Sequence, residues 1–361
     1  MNYREVTLLA QSDPGTEGTK VIDINVQDPI SRIDIEYRVK LADNAMIAAL
    51  GANVTKIELV DGSDVLFSMK GLEAQALNIY DRRVPTMNDS NLTNGNYAKA
   101  LFGIDFGRRL WDEQLAFDPT KFRNPQLKIT TDCNLCSDSA TLNTLEAWVH
   151  CFDEKVISPI GFLMAKEHQS WTPSAAGKYE YIDLPLDYPF RQMLIRAFLT
   201  QVHPDGVLAG ARLSEDHDKR IPFDINLSDY LSRMKCIWLP VEDNCFEYVN
   251  AAGQYDKYLT PTTYDSIWSG MSWGAFNTMV DTYLPGGWLR LYTSGGTPMH
   301  GGSLRGWCPN HTFQIPFGKQ EDLDDWYDVT TKGNVRLRLY SGASAGATSV
   351  ISTILQQLRR Y

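Results

Sequence analysis

Two copies of one pattern run through this chain, and that duplication limits its fold more than any other feature. The run Ile22-Asp23-Ile24-Asn25-Val26-Gln27-Asp28-Pro29-Ile30 returns 160 residues later as Ile182-Asp183-Leu184-Pro185-Leu186-Asp187-Tyr188-Pro189-Phe190. Both read apolar–Asp–apolar–x–apolar, then Pro-apolar, and both continue without a gap to an apolar pair, at Ile33 and Ile35 and at Met193 and Ile195. Upstream, Leu8-Leu9-Ala10 matches Leu163-Met164-Ala165. Downstream the shift is 155: Leu72, Ala76 and Ile79 correspond to Leu227, Leu231 and Met234. The i, i+4, i+7 spacing predicts a short amphipathic helix in each half. Near the ends the shift grows to about 211, where Phe102-Gly103-Ile104-Asp105-Phe106-Gly107 faces Phe313-Gln314-Ile315-Pro316-Phe317-Gly318. Repeats in the same order, reconciled by one insertion, point to tandem duplication. The second half thus carries about 55 extra residues, between Lys235 and His311.

The repeated unit reads as β structure. Ile33-Asp34-Ile35-Glu36-Tyr37-Arg38-Val39-Lys40-Leu41 alternates apolar and polar residues throughout, as a strand with one buried face does. Val335-Arg336-Leu337-Arg338-Leu339 alternates in the same way, and Asp61-Gly62-Ser63-Asp64 between two apolar runs is a hairpin signal. Glu215-Asp216-His217-Asp218 is expected to be the equivalent hairpin tip in the second half. About 155 residues of mostly antiparallel strand must close as a sandwich or barrel. Long crossings between the strands favour a Greek-key jelly roll. The expected fold is therefore all-β with short helices: two tandem eight-stranded jelly rolls with a large loop insertion in the second. The first roll is assigned to residues 1–155 and the second to 156–361, with the insertion at about 235–311. Ser158-Pro159 and Gly161 break regular structure at the joint.

Composition narrows the function. With 34 Lys+Arg against 44 Asp+Glu, net charge is -10, which argues against a protein that coats nucleic acid by neutralising phosphates. The first 20 residues hold only Arg4 and Lys20 as bases, so they form no DNA-binding arm. No 18-residue apolar run is present, and Met1–Val6 has no basic segment leading into an apolar one. Synthesis and folding in a cytoplasm are expected.

Two tandem jelly rolls, each with a helix between strands and one with a large loop, resemble the double jelly-roll major capsid proteins of tailless icosahedral viruses, the tectivirus–corticovirus–adenovirus lineage. The stretch Ile57-Glu58-Leu59-Val60-Asp61-Gly62 through Val65-Leu66-Phe67-Ser68-Met69-Lys70-Gly71-Leu72-Glu73-Ala74 is similar to the early strand–hairpin–helix segment of bacteriophage members. The resemblance spans nearly the whole chain, as architecture rather than as a short motif. It implies a homotrimer whose six similar lobes tile a hexagonal lattice as an icosahedral shell. It also implies contacts with neighbouring capsomers and with minor capsid or vertex proteins, with an internal membrane among the options, no sequence-specific nucleic acid, and a final location in the virion. The insertion would form an outward tower. It holds Trp238, Trp268, Trp273, Trp288 and Trp307, five of the nine tryptophans. They are expected to anchor subunit contacts, to pack as a small core of the insertion itself, or to do both.

Other chemistry finds little support. Cys133-Asn134-Leu135-Cys136 is a CxxC, but no second pair with zinc spacing follows and it lies in a Ser/Asp/Asn-rich loop. Cys236 and Cys245 flank a turn and could pair oxidatively. His150, His168, His203, His217, His300 and His311 contain no His-x-His, so a cupin-type metal site is not expected. Glu321-Asp322-Leu323-Asp324-Asp325-Trp326-Tyr327-Asp328 lacks the glycine-bearing loop of an EF-hand and reads as a solvated acidic face. No catalytic residue, cofactor or metal ligand is assigned, and an enzyme is not expected. Two alternatives remain: a carbohydrate-binding or glycan-active protein that stacks sugars on Trp268 and Trp273, or a viral receptor-binding spike.

Overall fold

The computed structural model describes residues 1–41, 46–84, 88–92, 97–137, 140–248, 253–271, 279–293 and 299–361. The first half supplies β1 (Tyr3–Ser12), β2 (Glu17–Asp23), β3 (Ile30–Leu41), β4 (Val54–Asp61), β5 (Asp64–Met69), α1 (Gly71–Arg82), β6 (Asn88–Leu92), β7 (Tyr97–Asp105), β8 (Pro125–Asp132) and β9 (Ala140–Phe152). The second half repeats that series. It begins with β10 (Gly161–Trp171), β11 (Tyr179–Asp183), β12 (Phe190–Phe198), α2 (Pro204–Val207), β13 (Leu208–Glu215), β14 (Arg220–Asn226) and α3 (Leu227–Met234). After α3 come β15 (Val241–Tyr248), β16 (Gly253–Tyr258), β17 (Pro261–Met271), β18 (Met279–Leu284), β19 (Trp288–Thr293) and β20 (Met299–Pro309). The roll then resumes with β21 (Thr312–Pro316), β22 (Val335–Ser341) and β23 (Val350–Arg360).

Strand order reveals the jelly roll twice. In the first half β1-β9-β3-β7 faces β2-β8-β4-β5, and in the second β10-β23-β12-β21 faces β11-β22-β13-β14. The duplicated segments fall on equivalent strands: Ile33 and Ile35 lie on β3, Met193 and Ile195 on β12, and all four are fully buried. The predicted alternation of β3 holds, with Ile33, Ile35, Tyr37 and Val39 at 0% exposure. Its polar face carries cross-strand ion pairs, Arg32 with Asp105 and Arg38 with Glu146. Both expected hairpin tips are turns. In the second, Asp216, His217 and Asp218 all have positive φ (46°, 61° and 65°), and Asp216 Oδ1 accepts the N–H groups of Gly333 and Asn334.

The halves are hydrogen-bonded into each other. Strand β5 pairs in parallel with β10 at Phe67–Ala165 and Ser68–Lys166, so one eight-stranded sheet runs β2-β8-β4-β5-β10-β23-β12-β21. Strand β6 pairs in parallel with β15, extending the first-half sheet into the insertion as β1-β9-β3-β7-β6-β15-β20-β17. A separate sheet β16-β19-β18 completes the insertion. Both large sheets therefore contain strands from both halves.

One helix meets the expectation and the other departs from it. Helix α3 is amphipathic, burying Leu227, Leu231 and Met234, and Asn226 caps it by accepting from Asp229 N–H. Helix α1 is buried along nearly its whole circumference, including Glu73, Gln75 and Asn78. The predicted stripe of Leu72, Ala76 and Ile79 is not the main core face: Ala74, Leu77 and Tyr80 join that core, Ile79 packs with Val241 of β15, and the polar residues between them have fixed partners.

Candidate assembly surface

Helix α1 is the wedge between the halves. On one side it lies along the edge of β7 that β6 does not cover. Asn78 donates through Nδ2 to Gly103 O at 3.0 Å and accepts from Gly103 N–H at 2.7 Å, standing in for a strand neighbour. Gln75 donates to Leu101 O at 3.0 Å, and Arg82 pairs with Asp105 and Asp34 at 2.8 and 2.9 Å. Burial alone would raise the Asp34 carboxyl; the His150 hydrogen bond and the Arg82 and Arg32 charges outweigh it and hold it below its ordinary value.

On its other side α1 meets β12, β21 and β23. Arg191 donates to Asp81 at 2.7 Å and to Gln356 Oε1 at 2.8 Å, while Gln192 donates to the same two acceptors at 2.9 and 2.6 Å. Gln356 completes the circuit by donating to Asp81 Oδ2 at 2.9 Å. Tyr80 donates to Thr312 O at 2.9 Å. The second roll's sheet is thus buried on both faces: every residue of β12 from Phe190 to Ala197 is buried. The sequence signal for this seam is the absence of alternation in β12 and the Gln356-Gln357 pair inside a strand.

Outside this seam the surface carries apolar groups on sheet edges and loops. Strand β17 ends its sheet, so its outer backbone groups have no strand partner among the described residues, and it presents Trp268 at 66% exposure with Tyr264 and Ile267. Trp268 lies in a shallow groove with Glu242, Asn244 and Ser303. Strand β11, also an edge, exposes Tyr179 and Tyr181, with Tyr179 stacked on Tyr340 at 4.7 Å. The connection after α3 exposes Ile237 and Leu239 at 70% and 83%. Unpaired edges with large apolar side chains are where further chains add.

The other tryptophans of the insertion are used internally. Trp238 packs edge-on against Tyr80 and lies under Arg83. Trp307 donates its N–H to Trp238 O, and Trp288 is 5% exposed against Tyr258. The insertion also has its own small cluster of Cys245, Leu259, Leu289 and Leu304. Trp273 lies outside the described residues. Of the expected anchors, Trp268 is the one placed at the surface among the described residues, because the rest fill the floor of the insertion.

The residues flagged for other chemistry do not converge. The six cysteines form no disulfide with one another, and of the six Cys236 is exposed and the rest are buried. The possible Cys236–Cys245 disulfide is therefore absent: Cys245 is buried in the insertion's core. Asn53 ties down the CxxC loop, donating to Cys133 O and Cys136 Sγ at 3.1 Å and accepting from Cys136 N–H at 2.7 Å. Burial pushes the Cys136 thiol up to about 12, away from nucleophilic or metal-binding chemistry. In the acidic stretch Asp322, Asp325 and Asp328 cap local turns, accepting from Asp324, Lys319 and Thr330 N–H, and Trp326 is buried beneath. His150 bonds Asp34, while His168 and His203 bond the carbonyl oxygens of Asp183 and Thr262. Among the described residues no group of three or more His, Cys, Asp or Glu is arranged to hold a metal ion.

No protein-family model and no curated protein matches the chain. Solved structures do. The chain superposes on the crystal structure of the STIV MCP with a TM-score of 0.63 at 10% identity, covering 99% of this chain and 98% of that one. On the major capsid protein from bacteriophage PM2 the TM-score is 0.57 at 9% identity, with 99% and 98% covered. On the PBCV-1 virus capsid it is 0.56 at 12% identity, with 99% and 93% covered. The chain has the double jelly-roll fold of these capsid proteins from end to end.

Proposed function

We propose that this chain is a major capsid protein that forms homotrimers and tiles an icosahedral viral shell. The observation that carries the proposal is the pair of jelly rolls with identical strand order, locked side by side by β5–β10 pairing and the α1 wedge. Three such chains around a threefold axis present six similar lobes, the geometry a hexagonal lattice needs from a trimer. In this reading residues 1–155 and 156–361 are the two lobes and 235–311 the tower, with Trp268 and the β17 edge in subunit contacts. Neighbouring capsomers and minor capsid or vertex proteins are its partners, with an internal membrane as a further one. Its chemistry is assembly, with no catalytic, cofactor or metal role. It is made in the host cytoplasm and ends in the virion; the resemblance of the Ile57–Ala74 stretch to phage members favours a bacterial host.

Light scattering on the eluting protein tests this: a trimer of about 120 kDa, three times the 40.7 kDa chain, is expected. A monomer under assembly conditions would overturn it. A second reading, glycan binding by the tower, is favoured by Trp268 beside Glu242 and Asn244. A monomer with glycan-array binding that Trp268→Ala abolishes would select it. As a spike rather than the shell protein, the chain would be a minor band of purified particles.

A further inference from the structure

The first roll, the second roll and the insertion meet around a cavity of about 350 Å³. Ile47, Ala48, Ala52 and Leu72 line it from the first half, and Phe198 from the end of β12. Two charged side chains reach this wall, Lys70 and Arg196, and Lys70 is paired with Glu167. Arg196 is 7% exposed, with its guanidinium carbon 4.5 Å from the centre of the Phe198 ring. Its Nε donates to Asn310 O at 3.2 Å. Among the described residues its two terminal amino groups have no hydrogen-bond acceptor and no carboxylate within ion-pair distance. Of the carboxylates facing it, Glu167 is paired with Lys70 Nζ at 2.8 Å and Ser352 at 3.0 Å, while Glu73 accepts from Lys70 N–H through Oε2 at 3.2 Å and its Oε1, 3.7 Å from Lys70 Nζ, has no hydrogen-bond partner among the described residues. His311 on the same wall is buried, and its Nε2 has no hydrogen-bond partner.

A guanidinium at 7% exposure with four of its five N–H donors unmatched by the described residues is costly unless something supplies acceptors. The planar fork of an arginine fits a carboxylate through two parallel N–H···O bonds. Ile47, Ala48, Ala49, Ala52, Val54 and Leu72 form an apolar stretch of the remaining wall that suits a hydrocarbon chain, with Thr55, Thr200, Gln201 and Thr262 elsewhere on it. At 350 Å³ the cavity is near the lower end of ligand sites, which run from roughly 300 to 1,000 Å³, so it takes one chain rather than two. We propose that this cavity binds a single-chain acyl carboxylate, head on Arg196 and tail among Ile47, Ala48, Ala52 and Leu72. The proposal is independent of the shell-forming role. Bound there, the ligand would touch both rolls and the insertion and brace the seam between them.

Isothermal titration of the full chain with sodium decanoate tests it. Saturable binding of one decanoate per chain is expected, weakened at least about tenfold by Arg196→Gln, which removes a charge-assisted pair. Ala48→Phe, which fills the cavity and leaves Arg196 in place, should abolish binding. Decanol, with the same tail and no charge, should bind as weakly as decanoate binds the Arg196→Gln variant. Absence of saturable binding, or equal binding by wild type and Ala48→Phe, would overturn the proposal. Should Arg196→Gln fail to fold, the Ala48→Phe and decanol arms decide it. Flotation with phosphatidylglycerol vesicles that Ala48→Phe abolishes would assign the site to a bilayer lipid and overturn the free-acid assignment.

Discussion

The carboxylate of Asp81, near the end of α1, meets the guanidinium of Arg191 on β12 at 2.7 Å, with 4% of each side chain exposed and the two residues 110 positions apart in sequence. Gln192 and Gln356 depend on the same carboxylate. Breaking a buried pair strands its partner, which costs about 3–5 kcal/mol. Asp81→Ala should therefore lower the unfolding free energy by that order in urea titration, and Asp81→Asn, which keeps one acceptor, by less. A loss of under about 0.5 kcal/mol for Asp81→Ala, the scale of an ordinary surface change, would mean that the seam is held by apolar contact instead.

Gly71 opens α1 where it passes two backbone carbonyls. A Cβ there would lie 2.6 Å from Gly51 O and 2.7 Å from Val54 O, neither of which can rotate away. Gly71→Ala is expected to destabilise by about 1–3 kcal/mol through overpacking. Gly346, with nothing within 4 Å of its Cβ position, is the control and should tolerate alanine. Equal melting temperatures for both variants would contradict the placement of α1.

Thiol titration reads the cysteine environment directly. Cys236 is exposed and the other five are buried; burial pushes Cys136, Cys151 and Cys308 up to about 12. The native chain should give one fast-reacting thiol at neutral pH and six after denaturation, and Cys236→Ser should remove the fast phase. Two or more fast thiols in native protein would refute this burial pattern.

Acid stability should depend on His311. Burial, together with the charge of Arg196, pushes its imidazole down from 6.5 to about 3. Between those values the unfolded chain binds a proton that the folded chain refuses. Stability contributed by the neutral ring is complete above about pH 6.5 and declines as pH falls toward 3, by at most roughly 1.4 kcal/mol per pH unit. His311→Gln should flatten this part of the profile relative to wild type in denaturation at pH 4 and pH 7. A parallel offset at both values would show that the ring does not titrate in this window.

Trp268 at 66% exposure contributes little to the fold of one chain. Trp268→Ala is expected to leave the melting temperature of the isolated chain within a degree or two, while weakening self-association by about 2 kcal/mol or more, the scale of an interface anchor. Sedimentation equilibrium separates these effects. Unchanged association would remove Trp268 from the subunit contacts.

The duplication and the alternation of β3 were legible because both follow from one buried face per strand. Ile22 and Ile182, or Ile35 and Ile195, keep the same inward positions. The polar seam shows in the pattern only as lost alternation in β12 and the Gln356-Gln357 pair, which do not name what covers them. Arg191, Gln192 and Gln356 look like surface residues in a one-dimensional reading, and only the arrival of α1 from the other half makes them interior. Asn78 is similar: nothing local marks it as the partner of Gly103. The tryptophans of the insertion were located as a group, but their division between its interior and its surface depends on which strand ends the sheet.

The sharing of sheets between the halves has an evolutionary consequence. Once β5 had joined β10 and β6 had joined β15, neither descendant of the duplication could be deleted without baring two ladders at once. Removing either half would strip a partner strand from the other at both junctions, so the pairing constrains change to loops and outer surfaces.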